Sequence, residues 1–364
     1  MKPKVFFFKF PLIDSLGGGE HYVLYQAKYL KSQGFEIKLI TSDRNLFRLF
    51  EKNYLPRKRI FAGWEPTSKW SMLLWPVTYL VAKKRFKKVL AQIPRDSIVF
   101  CQSLVEKLIL TPLTLNPSPS GRGAGVRIIW LEHKIPGNWL KLNPLKFRYL
   151  QLAKKIQVVT VSNSARAEFV KLGVPEENIT VVYPSPSPVL RPLSPRVRVE
   201  GVRIGILSRL DPEKGVLDFL KLIIPTLKNH PAWQIIIGGE GEEKIEIQSL
   251  IDTNYLAGRI KLLGFVNNLD EFFSRVTVFA CPSKTPESFG ISVLEAMARA
   301  VPVIASKIGA LPEIIEHGKN GFLVTNSQDW AEYIKKLEDK TLYSQMSLWA
   351  VKRANLLKTD KSLF

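Results

Sequence analysis

VFFFKFPLIDSLGGGEHYVLYQAKYLKSQGFEIKLIT, residues 5–41, decides how the rest of the chain is read. Val5 to Phe10 is a short apolar run of the kind that fills a buried strand. Gly17-Gly18-Gly19 follows, and from Glu20 to Gln33 the apolar side chains Val23, Ala27 and Leu30 recur on one helical face. Gly34 stops the helix, and Phe35 to Thr41 reads as a second strand. Strand, glycine-rich turn, helix and strand make a βαβ unit, whose two strands run parallel.

The same alternation continues outward. Strands are expected at Ser97–Cys101, Val126–Leu131, Gln157–Ser162 and Thr180–Tyr183. Residues 184–198, PSPSPVLRPLSPRVR, hold five prolines and no period, which is a linker composition. A second βα series follows. Its expected strands are Val202–Ser208, Trp233–Ile237, Ile260–Leu263, Val276–Cys281, Val301–Ala305 and Gly321–Val324. Its expected helices are Val216–Lys228, Glu242–Tyr255, Ile291–Arg299 and Leu311–His317, with helical patterns to the end. The fold class is therefore α/β, as two Rossmann-like, doubly wound parallel-sheet domains facing a cleft. The expected division is a first domain over 1–183, a linker over 184–200, a second domain over 201–340 and a C-terminal helix over 341–364 that crosses back. Residues 111–125, TPLTLNPSPSGRGAG, are expected to form a mobile loop or insertion.

Composition narrows the function. At 364 residues, 46% hydrophobic and 23% charged, the chain is globular and long enough for two cores. Two cysteines, Cys101 and Cys281, exclude a disulfide framework and fit a reducing, cytoplasmic setting. The longest uncharged apolar stretch, Trp70 to Ala82, is too short to span a membrane and is broken by Pro76. Lys9 interrupts the first apolar run, so a buried strand is expected there and not a signal peptide. The net charge is +21, and it is uneven: residues 1–200 carry 33 basic and 13 acidic side chains, residues 201–364 carry 20 and 19. A basic first half calls for an anionic partner, such as nucleic acid, an anionic membrane or a phosphorylated substrate.

Four local patterns can carry chemistry. In Pro286-Glu287-Ser288-Phe289-Gly290-Ile291, a strand end opens into a helix whose first amides suit a phosphate, while Glu287 and Glu295 offer acceptor oxygens to sugar hydroxyls. The same residues fit a plainer arrangement, with Glu287 facing the helix dipole and Glu295 solvated. In Ser208-Arg209-Leu210-Asp211-Pro212-Glu213-Lys214-Gly215, Arg209 and Lys214 flank a turn where a diphosphate would fit, unless Asp211 and Glu213 simply neutralise them. Gly17-Gly18-Gly19-Glu20 permits close backbone approach, or a plain tight turn; it is not the dinucleotide or P-loop pattern. His133, after Glu132 at a strand's carboxyl end, can orient a substrate or stay structural. The histidines show no metal spacing, and no nucleophile elbow is present.

Taken together and in this order, these pieces resemble glycosyltransferase family 4, retaining enzymes of the two-domain GT-B fold. The other matching pieces are Val161-Ser162-Asn163-Ser164, Gly238-Gly239-Glu240-Gly241 and Leu263-Gly264-Phe265-Val266, together with the E-x7-E pair Glu287 and Glu295. The resemblance implies that Arg209 and Lys214 bind the donor diphosphate and that Glu295 holds the nucleotide ribose. Glu287, Phe289, Gly290 and Ile291 would contact the donor sugar and phosphate. Val266, Gly239 and Glu240 would lie at the base pocket, Gly18 and Gly19 would meet the diphosphate from the first domain, and His133 would stand near the transferred sugar. The activity implied is transfer of a sugar from a nucleotide-diphosphate-sugar donor to a glycan or lipid-linked acceptor in polysaccharide or glycolipid synthesis, without a metal or other cofactor.

The basic half then fits an acceptor at an anionic membrane surface, with the enzyme peripheral on the inner face. Trp64, Trp70, Trp75 and Tyr79 precede Lys83, Lys84, Arg85, Lys87 and Lys88, a composition for an interfacial helix or for a core-facing helix with a solvated basic flank. A sugar-nucleotide epimerase of the same fold is the alternative enzyme. A nucleic-acid-binding protein is the alternative outside enzymes, although no nucleic-acid-binding pattern supports it and no nucleic acid partner is expected.

Overall fold

The computed structural model describes residues 2–11, 17–61, 66, 68–115, 125–187, 189 and 201–357. The chain divides into two compact units, Met1–Val182 and the stretch from Tyr183 onward. Each holds one parallel sheet.

In the first unit the strands are β1 (Val5–Lys9), β2 (Ile37–Thr41), β3 (Arg57–Arg59), β4 (Ile98–Cys101), β5 (Arg127–Glu132), β6 (Gln157–Thr160) and β7 (Ile179–Val181). Their order is β3-β2-β1-β4-β5-β6-β7. The order reverses between β1 and β4, where Phe8 pairs with Cys101. All five residues of β1 are buried, because helices cover both faces of the sheet. Phe7 stacks on Phe100 at 5.2 Å, while Phe8 and Phe10 both pack edge-on against Phe86 of the Trp75–Leu90 helix.

In the second unit the strands are β8 (Arg203–Leu207), β9 (Gln234–Gly238), β10 (Ile260–Gly264), β11 (Val278–Cys281), β12 (Val303–Ser306) and β13 (Gly321–Val324), ordered β10-β9-β8-β11-β12-β13. The reversal lies between β8 and β11. One core runs from Ile204 and Ile206 through Phe219, Leu220 and Trp330 to Met346. The Lys340–Leu356 helix packs against the Ile291–Ala298 helix within this unit.

Three expectations need correction. Residues 111–115 are not loop; they close the Leu104–Leu115 helix, and the Thr111 hydroxyl accepts the Trp130 indole N–H at 2.9 Å. Pro112 sits inside that helix, its fixed φ being compatible with a helical turn. The helix expected over Leu311–His317 stops at Ile314, because Ile315 is extended. β3 was not foreseen. Trp64, residues 116–124, most of the proline-rich run (188 and 190–200) and residues 358–364 lie outside the described residues.

Phe8 is fully buried in the aromatic cluster of the first unit. Phe8→Ala should therefore remove about 3–5 kcal/mol from that unit's stability. Urea unfolding followed by the first unit's fluorescence would show this as an earlier transition, and the second unit's transition should not move.

Candidate active site

In the second unit, the donor-side candidates converge on the carboxyl edge of the sheet. β8 leads into the turn Pro212–Lys214 and then into the Val216–Asn229 helix through Gly215, whose φ is +63°. A Cβ at 215 would stand 2.3 Å from the Pro282 carbonyl oxygen, so only glycine lets this turn lie against the end of β11. Lys214 Nζ thereby reaches Glu287 Oε1 at 2.7 Å, 73 residues along the chain. The Ser283 hydroxyl donates to the same oxygen at 2.5 Å, and the Ala310 amide holds the Glu287 carbonyl at 2.9 Å. Arg209 is exposed and pairs with Asp211, with Glu213 at 3.8 Å. The two cations are thus close in sequence but held by different carboxylates.

Gly290 caps the Ile291–Ala298 helix in the left-handed region at φ +92°, and no side chain caps that end. The first-turn amides at Ile291 and beyond face the same edge as Glu287. Phe289, just before them, is buried. Gly239, Glu240 and Val266 gather at the ends of β9 and β10. Gly239 has φ +140°, and a Cβ there would fall 1.8 Å from the Ser208 carbonyl oxygen. Val266 packs over Gly238, and Glu240 lies beside Gly264 while pairing with Lys244 at 2.9 Å.

Glu295 is not solvated. It is 2% exposed, and its carboxylate is engaged on both oxygens: Oε1 accepts the Ser187 amide at 2.7 Å, and Oε2 accepts the Ser187 hydroxyl at 2.6 Å and Arg299 Nη1 at 2.5 Å. Arg299 continues to Asp270 at 2.7 Å. The sequence reading found neither Arg299 nor Ser187. The i,i+4 spacing of Glu295 and Arg299 was a readable pair signal. Ser187, inside a proline run, gave none.

In the first unit, Glu20 closes the glycine turn. Its Oε2 accepts the Gly17 amide at 2.8 Å, and its other oxygen pairs with buried Lys9, which also has Asp43 at 3.8 Å. Burial pushes the Glu20 carboxyl up, but the Lys9 cation and the hydrogen bonds outweigh it and hold the group below its ordinary value. Gly19 lies under His133: a Cβ there would be 2.6 Å from the ring's Cδ2. The turn and the histidine, 114 positions apart in sequence, are therefore in contact within one unit. Glu132 points to the other face of β5, where it accepts from Lys107 Nζ at 2.6 Å and Tyr149 Oη at 2.7 Å. His133 Nδ1 has no hydrogen-bond partner among the described residues.

Burial first, then the Lys9, Lys134 and Lys107 cations, hold the His133 imidazole neutral, well below its ordinary value of 6.5. Both cysteines are free and buried, and burial pushes the Cys281 thiol up to about 12, with Glu287 adding to it. Neither thiol is a nucleophile at neutral pH. Among the described residues no group of three or more His, Cys, Asp or Glu side chains could hold a metal ion. Below about pH 6.5 the unfolded chain takes up a proton at residue 133 that the folded chain refuses, so the first unit loses stability as pH falls through that value. His133→Asn should flatten this acid-side loss, as read from urea midpoints between pH 8 and pH 5.5.

Comparison with known proteins follows the same division. Residues 16–185 match the family described as Glycosyltransferase Family 4, and residues 196–350 match Glycosyl transferases group 1. An uncharacterised glycosyltransferase of Haemophilus influenzae is 22% identical over 92% of this chain and 91% of its own. An exopolysaccharide phosphotransferase of Streptomyces coelicolor is 32% identical over 155 residues, which is 42% of this chain and 16% of that protein. The chain thus spans only a small part of that relative's length. Among solved structures, Anabaena HepE in complex with UDP and glucose superposes with a TM-score of 0.75 at 22% identity, covering 98% of this chain and 96% of that one. The two parallel-sheet units are those of the GT-B fold, and the two family matches fall one on each unit: the chain belongs to glycosyltransferase family 4.

Proposed function

We propose that this glycosyltransferase moves a sugar from a nucleotide-diphosphate donor to a glycan or lipid-linked acceptor, with retention at the anomeric carbon. The observation that carries the reading is the pairing of Lys214 with Glu287 beside the uncapped helix start at Gly290. A cation, a carboxylate and the helix-start amides at one strand edge suit a sugar diphosphate: amides and ammonium for the phosphates, carboxylate for a sugar hydroxyl. The UDP and glucose held by the HepE structure are consistent with a donor of that class.

In this reading the bond from the anomeric carbon to the diphosphate oxygen breaks and the diphosphate leaves with the electron pair. The acceptor oxygen bonds to the anomeric carbon, and its proton passes to the departing phosphate. Charge builds on the leaving group, so Lys214, Arg209 and the Gly290–Ile291 amides supply the main stabilisation, in place of a metal ion. Arg209 would leave Asp211 to do this. His133, neutral and seated on Gly19, is the first unit's candidate for a hydrogen bond to a sugar made without adding charge. Loss of a single such donor costs on the order of 100-fold in turnover. Lys214→Ala should accordingly lose about 100-fold in kcat/KM for the donor in a radiolabelled transfer assay. Full transfer with an unchanged donor KM would remove Lys214 from the site.

The reading extends to an anionic membrane surface as the acceptor's location. Along the Lys69–Leu73 and Trp75–Leu90 helices, Trp70 (77%), Leu73, Leu74, Val77, Leu80 (67%) and Val81 are exposed. Lys84, Arg85, Lys87 and Lys88 continue the exposed face, and no carboxylate occurs between Glu65 and Asp96. Asn143 ties the stretch carrying exposed Leu142 and Phe147 to the Pro66 carbonyl at 2.7 Å. An apolar face running into cations suits shallow insertion with anionic head groups, at about 1 kcal/mol per basic side chain near the surface. No helix among the described residues is long and apolar enough to cross a membrane. The protein should float with phosphatidylglycerol vesicles at about 0.1 M salt, where the Debye length is about 10 Å. Leu73→Glu with Leu80→Glu should abolish flotation, and an unaffected double variant would remove this surface from the reading.

A further inference from the structure

Ser187 places its amide N–H on one oxygen of Glu295 and its hydroxyl on the other, at 2.7 and 2.6 Å. Two neighbouring hydroxyls of a ribose offer a carboxylate the same pair of donors. Ser187 belongs to a segment outside helix and strand, Tyr183–Ser187, that touches the candidate donor residues Phe289 and Glu295. Pro184 and Pro186 are buried; the Tyr183 ring is 5.6 Å from that of Phe289, and its hydroxyl donates to Glu313 at 3.0 Å.

We propose that this segment is a strap that occupies the ribose position of the donor site, with Ser187 as an internal stand-in that the nucleotide's 2′- and 3′-hydroxyls displace. The proposal rests on the donor-site reading above and adds a regulation to it: donor affinity is set by competition between the ribose diol and the chain's own serine.

Three features make the exchange physically reasonable. Arg299 stays on Glu295 when Ser187 leaves, so no buried carboxylate is stranded without its counter-ion. Arg299 Nη2 now donates to the Ser187 hydroxyl oxygen at 3.0 Å and could donate to a ribose oxygen in its place. The segment is proline-rich and has no ladder or helical hydrogen bonds of its own, so it can lift without unfolding an element. Were the strap purely structural, the Glu295 carboxylate would remain full and the diol would add nothing to nucleotide affinity.

Hydrogen exchange and calorimetry on the full chain test this directly. In Pro184–Pro188 only Ser185 and Ser187 have amide protons, so a peptide spanning the strap reports few sites. UDP, GDP and ADP would each be compared with the 2′,3′-dideoxy analogue. The Ser187 amide should be protected in the unliganded protein, should lose protection with the nucleoside diphosphate that binds, and should keep it with the dideoxy analogue. Ser187→Pro removes both donors and should tighten the ribonucleotide about tenfold, the equivalent of one hydrogen bond to a charged group, while leaving the dideoxy analogue unchanged. Ser187→Ala, which keeps the amide and the native chain geometry, should move the same way by a smaller factor. Binding of a ribonucleotide with Ser187 still protected, or with unchanged affinity in both variants, would overturn the strap while leaving the donor site standing. If none of the three diphosphates binds wild type or either variant, the donor-site reading fails and the strap fails with it.

Discussion

The contact between Lys214 and Glu287 joins the end of β8 to the end of β11, across the point where the order of the second sheet reverses. A crevice forms naturally at such a point, because the connections leaving the two strands go to opposite faces. Here the ion pair, Ser283 and the close approach at Gly215 narrow that crevice into a defined arrangement of charges. Partly buried pairs of this kind add little net stability, since desolvation offsets much of the attraction. What they provide is position: a lysine held at 2.7 Å from a carboxylate samples few other rotamers. The helix start at Gly290 and the Glu287 backbone, bonded to Ala310, are placed around that fixed point.

The first unit repeats the device with more deeply buried partners. Lys9 with Glu20 fixes the glycine turn, and Lys107 with Glu132 and Tyr149 fixes the end of β5. His133 lies beyond both pairs. Burial of the ring, with the Lys9, Lys134 and Lys107 cations adding to it, leaves the imidazole neutral. Placement of the ring on Gly19 therefore comes with a fixed protonation state.

Most of this architecture was readable along the chain because it is local. The run Val5–Phe10, the stop at Gly34 and the repeated βα alternation report directly on neighbours in sequence. β3 escaped because Arg57-Lys58-Arg59 has no apolar alternation; it is a three-residue edge strand in which Lys58 and Arg59 are exposed and Arg57 half-buried. The apolar spacing of the Leu311 helix continues past the point where Ile315 turns extended, so the sequence pattern overruns the helix. In the sites, residue types and positions were legible, but partners were not. Nothing local says that Gly19 meets His133, or that Ser187 crosses 108 positions to reach Glu295. Such contacts depend on where two strand ends emerge from a sheet, and only the assembled sheet order supplies that.

The charge asymmetry takes on a different meaning once partners are known. In residues 201–364, with 20 basic and 19 acidic side chains, Arg209 and Lys214 both have carboxylates beside them. A diphosphate bound there, as proposed, would gain little from long-range attraction; it would have to replace one short-range partner with another, so geometry would govern its affinity. Along the Trp75–Leu90 helix the situation is reversed. Four exposed cations follow one another with no acidic residue in the surrounding sequence, so their field extends outward to about a Debye length. The same kind of side chain thus serves contact chemistry where it is paired and surface attraction where it is not. The excess of +21 lies almost wholly in residues 1–200, away from Arg209 and Lys214.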